Sequence, residues 1–197
     1  MSTAAVSYRP GEVLADLLPA SSGARARARD AVLVVGGAAL TGLAAQLAVP
    51  VPGSPVPVTG QTFAALLVGT ALGPGRGLLS LAVYALVGMA GMPWFAGGQA
   101  GPGGASFGYV LGMLLAAGLT GALARRGGDR SVLRTAGTMV AGSVVIYAVG
   151  VPYLAVATGM SATQAVAAGL TPFLIGDAVK AVLAMGALPG AWRLARR

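Results

Sequence analysis

Long apolar stretches, separated by turns rich in proline, glycine or charged residues, dominate the chain. Six of them can be delimited, and they cover about residues 31–49, 61–72, 78–91, 106–124, 135–157 and 171–188. A helix that crosses a bilayer perpendicularly needs ~20 predominantly apolar residues, and most of these stretches approach that length. The pattern therefore predicts an all-α integral membrane protein with six transmembrane helices.

The second apolar stretch is the shortest and leaves two interpretations open. It follows the Pro/Gly-rich loop 50–60 and begins beside the polar residues Thr59, Gln61 and Thr62. Non-helical backbone at membrane depth is tolerated only where it is buried in protein or lines a cavity. The stretch is either a short span whose polar end dips into the protein or a re-entrant segment.

The composition excludes most soluble classes of protein. Hydrophobic residues make up 56% of the chain and charged residues only 9%, whereas soluble domains have about 25% charged residues. The 32 glycines allow membrane helices to approach closely. Cysteine and histidine are both absent, which excludes disulfides, thiolate nucleophiles and Cys/His metal sites. We therefore expect no metal and no cofactor.

The basic residues predict the orientation of the chain. Twelve of the thirteen lie in the segments that a six-span arrangement places on one side, whereas the three opposite loops carry no charge: Arg9, Arg25, Arg27, Arg29, Arg76, Arg125, Arg126, Arg130, Arg134, Arg193, Arg196 and Arg197. By the positive-inside rule this side is cytoplasmic. We expect a cytoplasmic tail over 1–30, a membrane domain over 31–190 and a basic cytoplasmic tail over 191–197. The thin spread of the charge argues against nucleic acid as a partner.

Asp177 and Lys180 are the two charged residues that remain inside the membrane domain. Ionisable groups within a transmembrane segment are costly and usually functional. Their spacing puts both side chains on one face of the sixth helix, at ~1.5 Å per residue roughly 8–12 Å from its start near Pro172. This depth predicts a ligand pocket near the extracellular face. The alternative is an internal salt bridge that only fixes the helix to its neighbours.

The Gly-rich loop 92–105 is a candidate second wall of that pocket. Glycine leaves the backbone open to close approach, so Gly97 and Gly98 are candidate ligand contacts, together with Gln99 and Trp94. A flexible loop explains the glycines equally well, and Trp94 is also typical of an interfacial anchor.

Three stretches of this pattern resemble the BioY family, the substrate-binding S components of energy-coupling-factor vitamin transporters. They are Pro55–Phe63 (PVPVTGQTF), Phe95–Gly98 with the later pair Gly108-Tyr109, and Pro172-Phe173 followed by Gly176–Lys180 (GDAVK). The likeness covers roughly residues 30–190. Many members read Gly-Pro-Thr-Gly-Gly-Tyr where this chain reads GASFGY at residues 104–109.

The resemblance implies capture of biotin from the outside face of the cell membrane. It implies that Asp177 bonds the ureido ring, that Lys180 meets the valerate carboxylate, and that the loop after the third helix, with Tyr109 beyond it, closes over the ligand. It also implies a transmembrane coupling protein and two ATPase subunits as partners. The chain itself carries no GxxxxGK[ST] phosphate loop.

Small residues in the first helix are candidates for the surface that contacts the coupling protein. Ala38 and Gly42, and likewise Ala44 and Ala48, are four residues apart, a spacing that permits close helix packing. Two other functions remain open: an S component for another vitamin, and a structural membrane protein in which Asp177 and Lys180 only bridge helices. An enzyme is not expected, because one carboxylate and one amine are too few for most hydrolytic sites.

Overall fold

Seven α-helices and one small antiparallel strand pair account for most of residues 11–195, the part of the chain that the computed structural model describes. The helices are α1 Gly23–Ala45, α2 Gln61–Leu72, α3 Pro74–Met89, α4 Phe107–Arg125, α5 Val132–Thr158, α6 Ala162–Gly169 and α7 Leu174–Leu194. Strands β1 Ala48–Val49 and β2 Val58–Thr59 pair between α1 and α2. The predicted tail residues Arg9, Arg196 and Arg197 lie outside the described residues.

The lengths of the helices fit a membrane protein. Four stretches are long and apolar enough to cross a bilayer: Gly23–Ala45, Phe107–Arg125, Val132–Thr158 and Ala162–Leu194, which joins α6 to α7. Helices α2 and α3 have 12 and 16 residues, so they are shorter than the ~30 Å hydrocarbon core. The prediction of an all-helical membrane protein is confirmed.

Three boundaries differ from those expected. Helix α1 begins at Gly23 rather than near residue 31, because the Ser22 hydroxyl caps it by accepting a hydrogen bond from the Arg25 amide. Helix α6 was not expected at all, although Ser161 and Gln164 form a capping box at its start. Helix α7 continues past the predicted end, through Pro189, to Leu194.

Glycines bring α2, α3 and α4 into close contact. A methyl group on Gly77 of α3 would lie 2.7 Å from the Cα of Gly69 in α2, and one on Gly121 of α4 would lie 2.8 Å from the Gly69 carbonyl oxygen. These distances are too short for any larger residue without a shift of the backbone. Helix α4 also packs on α5, so it is the centre of the bundle.

Most of the described arginines meet at one end of this bundle, here called the arginine end. Arg130 in the α4–α5 turn donates a 2.8 Å hydrogen bond to the Glu12 carbonyl, ahead of α1. Arg76 at the start of α3 pairs with Asp16 in the same N-terminal segment. The Trp192 indole near the end of α7 donates to Asp129 at 2.6 Å. The segment ahead of α1, the start of α3, the α4–α5 turn and the end of α7 therefore lie together at this end.

The other helix termini meet at the opposite end. The Gln46 side chain after α1 donates a 3.0 Å hydrogen bond to the Trp94 carbonyl in the loop after α3. Tyr109 in the first turn of α4 donates to the Gly169 carbonyl at the end of α6, at 2.7 Å. Helices α1 to α5 and α7 therefore run alternately between the two ends, and α6 lies at the second end.

Two carboxylates at the arginine end sit in contrasting environments. Asp129 is fully buried, and burial raises its pKa even though Trp192 and Arg130 favour the charged form. Burial acts in the same direction on Asp16, but the hydrogen bond from Arg76 and the nearby charges hold its pKa below the usual range. The Arg130 guanidinium also lies 3.6 Å from the centroid of the Trp192 ring.

We expect Trp192→Phe to lower the free energy of unfolding by about 1–3 kcal/mol, because it leaves a buried carboxylate oxygen without its donor. The measurement is reversible unfolding in mixed micelles. Leu194→Ala removes an exposed side chain from the same turn of α7 and is expected to change the value by less than about 0.5 kcal/mol. Equal effects of the two substitutions would contradict the role given to the indole.

Candidate functional site

Asp177 and Lys180 form an ion pair near the start of α7. The Lys180 Nζ lies 3.2 Å from the Asp177 Oδ1, and each side chain is 17% exposed. Both side chains are therefore mostly buried within the bundle. Two charges so placed need further polar partners, because desolvation is costly even for a paired charge.

Side chains from two other helices supply those partners. The Lys180 Nζ donates a 2.8 Å hydrogen bond to the Thr62 hydroxyl of α2. The Tyr147 hydroxyl of α5 donates to the second oxygen of Asp177. The result is a polar cluster, composed of Thr62, Tyr147, Asp177 and Lys180, that joins α2, α5 and α7.

A small cavity of about 20 Å³ adjoins the Lys180 side of this cluster. Three aromatic rings form an apolar wall, with ring centroids 6.3 Å apart for Tyr109 and Tyr147, 6.4 Å for Tyr109 and Phe173 and 6.5 Å for Tyr147 and Phe173. The cavity is lined by Val56, Pro57, Thr59, Gln61, Thr62, Ala96, Ser106, Tyr109, Tyr147, Phe173 and Lys180. It combines an apolar surface with one ammonium and several hydroxyls.

A second cavity, also of about 20 Å³, lies beside the first. The two share Gln61, Ala96 and Ser106 as lining residues, and the second extends to Gln99. Gln61 is buried, and its side-chain oxygen is 3.5 Å from the Tyr84 hydroxyl. The two cavities lie side by side between Lys180 and the loop after α3, and each has room for about one water molecule.

Asp177 borders a different space, a wide apolar cleft on the outer side of α5, α6 and α7. Its lining includes Val144, Tyr147, Val151, Leu174 and Asp177. Because Tyr147 borders both this cleft and the first cavity, the Tyr147–Asp177 contact forms part of the partition between them. The cleft is almost entirely apolar, as expected of a surface that faces lipid.

The Gly-rich loop lines much of the second cavity, but not through Gly97 and Gly98. Gly97 and Gly98 are exposed, border neither cavity and have φ values of 68° and 73°. The Gly98 amide donates to the Phe95 carbonyl at 3.0 Å, and the Phe95 amide donates to the Gln99 carbonyl at 2.9 Å. The two glycines thus form a tight left-handed turn that only glycine adopts readily. Gln99 does border the second cavity.

Trp94 lies away from both cavities. Its indole donates a 3.0 Å hydrogen bond to the Tyr84 carbonyl of α3, and its ring packs against Gly42 of α1, where a methyl group would lie 2.8 Å from Cε3. Trp94 therefore fixes the loop to α1 and α3. Gly42 and Ala38 are both buried inside the bundle, so they pack α1 against its own neighbours, whereas Ala44 and Ala48 are half-buried.

Three contact residues of the site had no assigned role in the sequence: Thr62, Tyr147 and Phe173. Thr62 and Phe173 belong to the stretches that carry the family resemblance, which was the available signal. Nothing in the sequence separates Tyr147 from Tyr153 on the same helix. Within residues 11–195 no group of three or more Asp, Glu, His or Cys side chains is arranged to hold a metal ion.

The chain is similar to proteins described as biotin transporters. It is 35% identical over 162 residues to the probable biotin transporter BioY of Pyrococcus horikoshii, covering 81% of this chain and 93% of that protein. It is 33% identical over 140 residues to the biotin transporter BioY of Rhizobium etli, covering 66% of this chain and 74% of that protein.

The fold matches that of a solved structure, the S-component for biotin from an ECF-type ABC transporter. The TM-score is 0.77 at 21% identity, over 90% of this chain and 96% of the solved one. The model of the BioY family matches residues 18–197. On the strength of that match and the relatives' identity, this chain belongs to the BioY family.

Proposed function

We propose that this multi-pass membrane protein is the biotin-binding subunit of a biotin uptake system. The observation that carries the proposal is the Asp177–Lys180 pair beside a small cavity with an aromatic wall. The relatives' names and the solved S-component for biotin support the same ligand. Membership of the BioY family makes the chain a transport protein rather than an enzyme.

The chemistry of biotin matches the side chains of the site. Its ureido ring presents N–H donors, which the Asp177 carboxylate accepts, and its valerate chain ends in a carboxylate, which the Lys180 ammonium binds. The apolar ring system fits the wall of Tyr109, Tyr147 and Phe173. A bicyclic ring and a four-carbon chain separate the two ends of biotin, so binding both ends requires the 3.2 Å ion pair to separate. It also requires the small cavity to widen and the Asp177 carboxylate, which borders the outer cleft, to turn toward it.

The proposed topology has six spans with both termini in the cytoplasm. Its support is the clustering of arginines at one end of the bundle, which the positive-inside rule makes cytoplasmic. The cavity residues Thr59, Tyr109 and Phe173 lie near the opposite helix termini, which supports a pocket near the extracellular face. In this topology the short helices α2 and α3 cross the membrane together with the loops that adjoin them.

Energy for uptake is proposed to come from partners, namely a transmembrane coupling protein and two ATPase subunits. The ECF-type context of the solved neighbour supports this. Because Ala38 and Gly42 are buried, the contact with the coupling protein is proposed for the outward face of α1. Leu43 and Leu47 are largely exposed there, and the half-buried Ala44 and Ala48 adjoin them.

The two charged residues are expected to act on opposite ends of the ligand. Lys180→Ala should weaken biotin binding at least about 30-fold, the effect of truncating one partner of a buried charge pair, but should leave the binding of biotin methyl ester unchanged. Asp177→Asn should weaken both ligands equally. Calorimetry on the purified protein measures all four affinities.

The comparison of biotin with its methyl ester tests whether Lys180 binds the ligand carboxylate. An equal loss for both ligands in Lys180→Ala would show that the ammonium does not bind the carboxylate. Absence of biotin binding by a well-folded wild-type protein would refute the biotin assignment and favour an S component for another vitamin, which competition binding with other vitamins would identify.

Tyr147→Phe is expected to weaken biotin binding about tenfold, because a hydrogen bond to a charged group contributes roughly 1.5–3 kcal/mol and this one orients the Asp177 carboxylate. Tyr153→Phe is the matched control on α5, since its hydroxyl makes no hydrogen bond within the described residues. Equal affinities of the two variants in the same calorimetric assay would remove Tyr147 from the site.

The orientation can be read from single cysteines, because the chain has none of its own. Thr163→Cys on α6 and Arg126→Cys in the α4–α5 turn both replace exposed residues. We expect a membrane-impermeant maleimide to label the Thr163 variant on intact cells and the Arg126 variant only after permeabilisation. The reverse pattern would invert the topology.

A further inference from the structure

A cleft between α1 and α3 opens to the outside of the bundle at its arginine end, far from the biotin cavity. It is bordered by Asp30, Ala31 and Val34 of α1, Gly75, Arg76 and Leu79 of α3, and Arg125 at the end of α4. One half of this lining is charged and the other half is aliphatic. In the proposed topology this division suits a cleft at the cytoplasmic boundary of the hydrocarbon region.

Two arginines border the polar half of the cleft, and the exposed one, Arg125, offers it unused donors. Arg76 is held by Asp16 and by Asp30, whose Oδ1 lies 3.5 Å from its Nε, but its buried Nη1 has no hydrogen-bond partner within residues 11–195. Arg125 is exposed and makes no hydrogen bond or ion pair in the same described part of the chain. An unpaired buried donor is costly, and the planar guanidinium suits phosphate oxygens.

The acidic residues nearby leave a surplus of positive charge. Asp30 already accepts hydrogen bonds from Arg29, at 3.0 and 2.9 Å, and Asp16 is committed to Arg76. Around the cleft, Arg29, Arg76 and Arg125 therefore face two carboxylates. An anion that enters the cleft meets the exposed guanidinium of Arg125, which has no ion-pair partner within residues 11–195.

The aliphatic half of the cleft continues along the outer face of the bundle. Leu79 is 53% exposed, and Val35 and Leu86, further from the arginine end, are 61% and 60% exposed. A soluble anion would use the guanidinium groups but leave this strip without a function. A molecule with an anionic head and an apolar tail uses both halves.

We propose that this cleft binds an anionic phospholipid. Its phosphate lies between Arg76 and Arg125, and one acyl chain follows Ala31, Val34 and Leu79 between α1 and α3. Basic pockets between transmembrane helices bind anionic headgroups in this manner. The lipid thereby stabilises the arginine end of α1 and α3 without touching the biotin cavity.

Native mass spectrometry of the purified protein with added phosphatidylglycerol, or with phosphatidylcholine of the same acyl chains, tests this proposal. We expect phosphatidylglycerol to remain bound to the wild-type protein and to Arg126→Gln, an exposed neighbour that does not border the cleft. In Arg125→Gln the bound fraction should fall about fivefold, as for the loss of one basic contact at an anionic surface. Unfolding curves check that both variants fold.

A second variant and a second anion distinguish lipid from free phosphate. Leu79→Ser is expected to reduce the retention of phosphatidylglycerol, because it removes part of the acyl-chain contact. Equal retention of phosphatidylcholine, or undiminished phosphatidylglycerol on Arg125→Gln, would overturn the proposal. The proposal would also be overturned if inorganic phosphate displaced the lipid and did so in Leu79→Ser as well, because the cleft would then bind a soluble anion.

Discussion

The central constraint on this molecule is the presence of one carboxylate and one ammonium inside a bundle of apolar helices. Removing either charge from water is unfavourable, and their mutual attraction offsets that cost only when the remaining hydrogen-bonding positions are filled. The Thr62 hydroxyl accepts a hydrogen bond from Lys180, and the Tyr147 hydroxyl donates one to Asp177. The pair therefore joins α2, α5 and α7 through hydrogen bonds beside the cavity.

Close packing elsewhere in the bundle makes that arrangement possible in a short chain. Gly69, Gly77 and Gly121 let α2, α3 and α4 approach until backbone meets backbone, where dispersion and close fit replace the hydrophobic effect as the cohesive force. The buried Asp129–Trp192 contact closes the arginine end. The cavity end is joined instead by single hydrogen bonds such as Tyr109 to Gly169. The buried Asp129–Trp192 contact and the candidate site thus lie at opposite ends of the bundle.

The helices and the charged pair were predictable from the sequence because each leaves a local signal. A run of apolar residues marks a helix, and an isolated charge within the run marks a site, so Asp177 and Lys180 could be identified directly. Tyr147 could not, because its role depends on which face of α5 meets α7. Trp94 and the glycines Gly97 and Gly98 were expected at the ligand, but Trp94 packs on Gly42 and the glycines form a turn. The sequence identifies such residues as special but does not distinguish a ligand contact from a backbone requirement.

The ion pair also affects which ligands the site favours. With Asp177 and Lys180 in contact, each satisfies the other, so the buried charges are tolerated without ligand. A ligand that offers N–H donors to one and a carboxylate to the other replaces that contact with two, whereas a ligand that offers only one of these groups leaves the opposite charge buried and unpaired. The same desolvation cost that makes the pair expensive to bury therefore favours a molecule that carries both groups at the right separation over fragments of it.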